Sequence, residues 1–149
     1  MWRELLLFVH LAGVIVWVGG MFFAYFCLRP AAALRLEPAQ RLPLWLATYQ
    51  RFFVRVTVSV GLIWVSGVAM FMQGGAAPTP TGWQVMAALG GVMTAGFAYV
   101  RLVLYPRLRR QLEAGPLPAA AATLNAIRGW VAVNLVLSAF TLAAAVASR

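Results

Sequence analysis

Acidic side chains are scarce. The chain has no Asp and only three Glu, and its twelve basic residues are all Arg, with no Lys. Without Asp no Ser-His-Asp set can be assembled. Glu4, Glu37 and Glu113 place no acidic pair inside an apolar run, which disfavours carboxylate-driven proton transport. Cysteine occurs once, as Cys27, and histidine once, as His10. A lone Cys excludes an intrachain disulfide and any CxxC metal or redox motif. Charged residues make up 10% of the chain and hydrophobic residues 63%. A soluble domain carries about 25% charged and about 45–50% apolar residues. The shortfall excludes an ordinary soluble enzyme and a disordered chain. It leaves an integral membrane protein, read as one domain over residues 1–149.

Four apolar runs cover residues 5–28, 52–72, 83–105 and 129–147. Each approaches or exceeds the roughly 20 residues a helix needs to cross a bilayer. Spanning structures must satisfy every backbone amide internally, so only helices or a closed barrel qualify. Barrel strands alternate apolar and polar residues. These runs are continuously apolar, so the expected fold is all-α, a four-helix transmembrane bundle. The first run outlasts a signal-peptide core of about 7–15 residues and is followed directly by Arg29, so it is read as a retained span.

Ten of the twelve arginines sit in or beside two connecting segments, 29–51 and 106–128. The loop from Gln73 to Gly82 carries no charge. The positive-inside rule assigns the Arg-rich segments to the cytoplasm and both termini to the outside, the periplasm in a bacterium. A formal charge of +9 also suits a nucleic-acid binder. The arginines lie between apolar runs, however, so the expected partner is the lipid bilayer and no nucleic acid. Pro30, Pro38, Pro43, Gly115, Pro116 and Pro118 break the Arg-rich segments. Residues 44–51 and 119–128 then read as amphipathic helices that extend the second and fourth spans and lie along the headgroups.

No catalytic constellation is present. His10 is the exception among otherwise apolar side chains, about 7–8 Å below the outer end of the first span. An ionisable residue inside a membrane is a functional candidate by default. The competing reading is a neutral ring bonded to a neighbouring hydroxyl or carbonyl. Gly13, Trp17 and Gly20 or Met21 follow on the same helical side. Small residues there admit either another helix or a flat ligand. Depth arithmetic puts Met70, Met72 and Met86 in the outer layer with His10. Thioether plus imidazole suits Cu(I), and imidazole alone also suits haem iron. Cys27 lies at the inner end and reads as a small buried hydrophobe. Arg101 reads as a snorkelling cation or a partner for an anionic group such as a haem propionate. Asn134 is an interhelical hydrogen-bond candidate. Thr57, Ser59, Ser66, Thr94, Ser138 and Thr141 are expected to bond back to their own helices.

The run LLLFVHLAGVIVWVGGMFFAYFCLRP, with His10, Gly13, Trp17, Gly19 and Gly20 in an H-x-x-G-x-x-x-W-x-G-G arrangement, resembles the first helix of the copper-resistance protein D (CopD-like) membrane family. RFFVRVTVSVGLIWVSGVAMF, YPRLRR and LNAIRGWVAVNLVLSAFTLAAA extend the resemblance over nearly the whole chain. The resemblance implies a bacterial inner-membrane protein that binds, tolerates or transports copper, with His10 as the metal position. Met70 and Met86 join it by depth. A more distant similarity to HemJ-type membrane proteins implies the alternative of a b-type haem, with His10 as axial ligand and Gly13, Trp17 and Arg101 around it. Gly20 and Asn134 are then structural. A homodimer is a further expectation, since bundles with glycine faces associate.

Overall fold

The computed structural model describes residues 1–74, 80–115 and 117–147. The middle of the uncharged loop, Pro116 and Arg149 lie outside the described residues. Four long helices follow one another: α1 (Trp2–Arg35), α2 (Pro38–Gln73), α3 (Thr81–Ala114) and α4 (Leu117–Ala147). All four are long and apolar enough to cross a membrane, and the described residues include no strand. Large apolar side chains such as Phe8, Ile15, Phe23, Val65, Leu102 and Phe140 point outward. In lipid that surface is at home, because acyl chains are as apolar as the side chains.

The helices are antiparallel neighbours. His10 meets Ile63 and Ser66, while Gly20 meets Phe52, so α1 and α2 run in opposite directions. Asn134 of α4 meets Met93 of α3, and Thr123 meets Gln111, which reverses that pair likewise. The two tight connections, and with them ten arginines, therefore gather at one end of the bundle. The start of α1 lies at the other end, where the Arg3 guanidinium sits 5.9 Å from the Trp83 ring.

The helices hold 34, 36, 34 and 31 residues. At about 1.5 Å per residue they are about 46 to 54 Å long, well beyond the roughly 30 Å hydrocarbon layer. The surplus is at the Arg-rich end, where residues 44–51 and 119–128 extend the second and fourth spans as expected but pack on one another instead of lying along the headgroups. Residues of 38–51 and 117–128 continue their spans without a break. Leu42, Trp45, Tyr49, Leu108, Ala120, Leu124 and Ile127 are buried there, in one cluster with Phe53, Val100 and Leu104. Their apolar faces bury each other, which removes more surface from water than headgroup contact would.

The prolines fail to break α1 and α3 for a local reason. Each helix widens into a π turn just before its proline, over Phe23–Leu28 ahead of Pro30 and Val100–Leu104 ahead of Pro106. The Arg29 amide donates to Ala24 O and the Tyr105 amide to Val100 O, five residues back. A proline removes one amide donor and its ring crowds the carbonyl four residues earlier. The wider turn takes up both demands while the helix continues. Cys27 falls in the first π turn and is exposed, not buried as expected. It faces outward beside Phe23 and Phe26, where a small apolar thiol is accommodated by lipid.

A second cluster fills the middle of the bundle with Trp17, Met21, Val56, Val60 and Met93. The glycine face of α1 is closed by α2. A Cβ on Gly13 would stand 2.8 Å from Ile63 Cγ1 and 3.0 Å from Ser59 O, and one on Gly20 would strike the Phe52 ring. Gly19 has open space around it. Gly13→Ala is therefore expected to cost about 1–3 kcal/mol by overpacking. Gly19→Ala is expected to be neutral or to gain up to about 1 kcal/mol from helix propensity. Denaturation midpoints in detergent check both, and equal effects at the two glycines would contradict the close α1–α2 approach.

Candidate functional site

His10 is half-buried and turned toward α2. Its Nδ1 lies 3.0 Å from Ile63 O and 3.1 Å from Ser66 Oγ. A carbonyl oxygen only accepts, so Nδ1 carries the hydrogen. The Ser66 hydroxyl donates to Leu62 O at 2.6 Å, which leaves its oxygen free to accept from the same Nδ1–H. In the neutral ring the lone pair is then on Nε2. This is the ring bonded to a neighbouring carbonyl and hydroxyl of the competing reading; a metal-ligating histidine holds its second nitrogen in the same way. Gly67 supplies the flat wall: a Cβ there would lie 3.4 Å from His10 Cε1. Ser66 is almost fully enclosed, at 1% exposure. The pairing of His10 with Ser66 and Ile63 was beyond the reach of spacing, since it joins residues 53 and 56 positions apart.

Met70 follows Ser66 by four residues and so shares its face of α2, one turn nearer the loop. It is half-buried, whereas Met72 is 75% exposed and points away. Met86 lies in the first turns of α3, whose outer half packs chiefly on α4. The Arg3–Trp83 contact ties the start of α3 to the start of α1. Met86 thus belongs to the same outer layer as His10 but to the other helix pair. Among the described residues, no three His, Cys, Asp or Glu side chains converge on a metal-sized space.

The residues of the haem alternative are not brought together. Gly13 is filled by Ile63 and leaves no slot for a flat ring. Trp17 is 4% exposed and packs edge-on against Phe97, with centroids 5.9 Å apart. Arg101 lies over the Phe53 ring at 5.8 Å. Phe53 precedes Ile63 on α2 by ten residues, about 15 Å along the axis. Arg101 therefore works at the opposite half of the bundle from His10.

Asn134 is buried and donates from Nδ2 to Met93 O at 3.2 Å, across α3 and α4. Its Oδ1 is enclosed without a partner, against Gly96. An interhelical bond in a membrane contributes about 0.6 kcal/mol, whereas an unsatisfied buried acceptor costs about 1–3 kcal/mol. Asn134→Leu is expected to leave stability unchanged or to raise it by about 1 kcal/mol, read from the unfolding midpoint. A loss of more than that would mean that the amide contributes more than its single bond. All six hydroxyls named from the sequence bond back to their own helices. Three also reach across: Ser66 to His10, Thr94 Oγ1, which accepts from Trp64 Nε1 at 3.0 Å, and Thr141 Oγ1, which donates to Met93 Sδ at 3.9 Å.

Among known protein families, copper resistance protein D (CopD) matches residues 46–148. The matched stretch opens at Leu46, within α2, and leaves α1 and His10 outside it, although α1 carries the most distinctive run of the sequence. It includes Ser66, Met70, Met86, Arg101 and Asn134. Neither a curated protein nor a solved structure matches the chain. A stretch running from the first third of α2 to the end of α4 is most of the molecule, and the chain belongs to the copper resistance protein D family.

Proposed function

We propose that this membrane protein handles Cu(I) at a site in its outer layer, with His10 Nε2 as the first ligand. The observation that carries the reading is the Nδ1 contact with Ile63 O and Ser66 Oγ. It presets the free nitrogen without the entropy loss of orienting a mobile ring. A thioether is the natural companion, because soft sulfur and imidazole together favour Cu(I) over harder ions. Met70 offers one from the face that already holds Ser66. Met86 offers a second from across the bundle.

The positive-inside rule places the Arg-rich end in the cytoplasm and the His10 layer below the periplasmic surface of a bacterial inner membrane. From there a captured ion is held or passed inward between the helices. Elemental analysis and a visible spectrum of the purified, copper-exposed protein test the reading. The expected sample is colourless and retains copper. A Soret band on the isolated protein would replace the copper reading with the haem one. Absence of both metals would overturn each.

A further inference from the structure

The Arg-rich end holds a feature that copper binding at His10 does not use. The start of α2 and the first three turns of α4 line an open cavity of about 300 Å³. Arg41, Asn125 and Arg128 supply its polar wall, and Pro38, Leu42 and Leu117 are among its apolar residues. The volume lies at the lower end of the roughly 300–1,000 Å³ typical of small-ligand sites.

Arg128 is the unusual member. It is half-buried, with its guanidinium carbon 5.4 Å from the Trp45 ring centroid. Nη1 donates to Asn125 Oδ1 at 3.1 Å. Nε is enclosed and has no acceptor. Its charged neighbours are cations, Arg29 and Arg41, with the Tyr49 phenol as the remaining titratable group. Among the described residues no carboxylate forms an ion pair with them. Glu113 pairs with Arg109 and Glu4 with the N-terminal amine. Glu37 is exposed and forms no ion pair among the described residues.

A partly buried cation facing other cations is unfavourable unless an anion joins it. We infer that the cavity binds a phosphate group between Arg41 and Arg128, with the Asn125 amide beside them. Guanidinium forks match phosphate oxygens two at a time, which makes Arg the side chain suited to this recognition. Both helices also begin at the cavity, so their positive dipole ends add to the field. Arg128 immediately precedes the apolar stretch of α4, which sets the cavity at the level where phospholipid headgroups meet a bundle. Basic pockets between membrane helices take such headgroups. The phosphate is therefore either a lipid phosphodiester or free inorganic phosphate.

Native mass spectrometry of the purified full chain with phosphatidylglycerol or phosphatidylcholine, and thermal unfolding with millimolar inorganic phosphate, separate the sources. Preferential retention of phosphatidylglycerol supports the lipid source. A phosphate-dependent rise in melting temperature supports the free anion. In either case Arg41→Gln and Arg128→Gln are expected to weaken binding about tenfold or more, as loss of a charge-assisted hydrogen bond implies. Arg128→Gln also removes the contact with Trp45, so Arg41→Gln decides the matter if Arg128→Gln lowers the melting temperature by itself. Equal retention of the two lipids with no phosphate effect overturns the site. So does binding by Arg41→Gln equal to that of the native chain. Neither result bears on copper at His10, which lies toward the other end of the bundle.

Discussion

His10→Ala is expected to lower the Cu(I) affinity of the purified protein by more than about 100-fold, beyond the roughly 10–100-fold that loss of an outer-shell partner causes. Ser66→Ala is expected to fall inside that range, because it removes one acceptor of the Nδ1 hydrogen and leaves Ile63 O in place. The order of effects is the diagnostic. A ligand loses most, the group that orients it loses less, and a packing residue loses nothing. Competition titrations against a Cu(I)-chelating dye read all three. The fold should survive His10→Ala. Ile63 O still has the amide of α2 one turn on, and the Ser66 hydroxyl still donates to Leu62 O. Unchanged affinity in a correctly folded His10→Ala would reduce the histidine to a packing residue that bridges α1 and α2.

Trp45→Ala is expected to destabilise the bundle by about 3–5 kcal/mol, the range for truncating a buried Trp. Trp45 is 1% exposed and begins an aromatic column with Tyr49 and Phe53, with successive centroids 5.3 Å apart. Arg128 covers its ring. Its Nε1 is buried without an acceptor, so Trp45→Phe removes an unsatisfied donor while keeping most of the apolar surface. That substitution is expected to cost less than about 1.5 kcal/mol. Unfolding in detergent or nanodiscs measures the pair. A small effect of Trp45→Ala would mean that residues 38–51 lie along the headgroups after all, since a ring resting on a lipid surface has no core to leave empty.

The contrast between these two sites shows where sequence reading ran out. The spans were legible because twenty-odd consecutive apolar residues have one stable use in a bilayer. The gathering of arginines at one end followed from counting them between spans. Proline misled at Pro30 and Pro43: a breaker is inferred from the amide it lacks, and at Pro30 a π turn absorbs that loss. Pro43 sits inside α2 with helix on both sides. The small residues at Gly13 and Gly20 announced a close neighbour without saying whether it was protein or ligand. Ile63 and Phe52 supplied the answer. Asn125, Arg41 and Arg128 carried no motif at all, since their meeting depends on how α2 and α4 pack.

The sequence by itself determined that this chain lives in a membrane, that it has four helical spans, and that its arginines collect at one end. Those properties depend on residues near each other along the chain, summed over about 20 positions against the solvent around them. Only the tertiary structure decided that His10 points at α2 and frees Nε2, that the core continues into the helix ends past the apolar spans, and that Arg128 lines a cavity with no carboxylate paired to it among the described residues. Each of these depends on one side chain meeting another dozens of residues away, and the register between helices that sets such meetings is written in packing, not in composition.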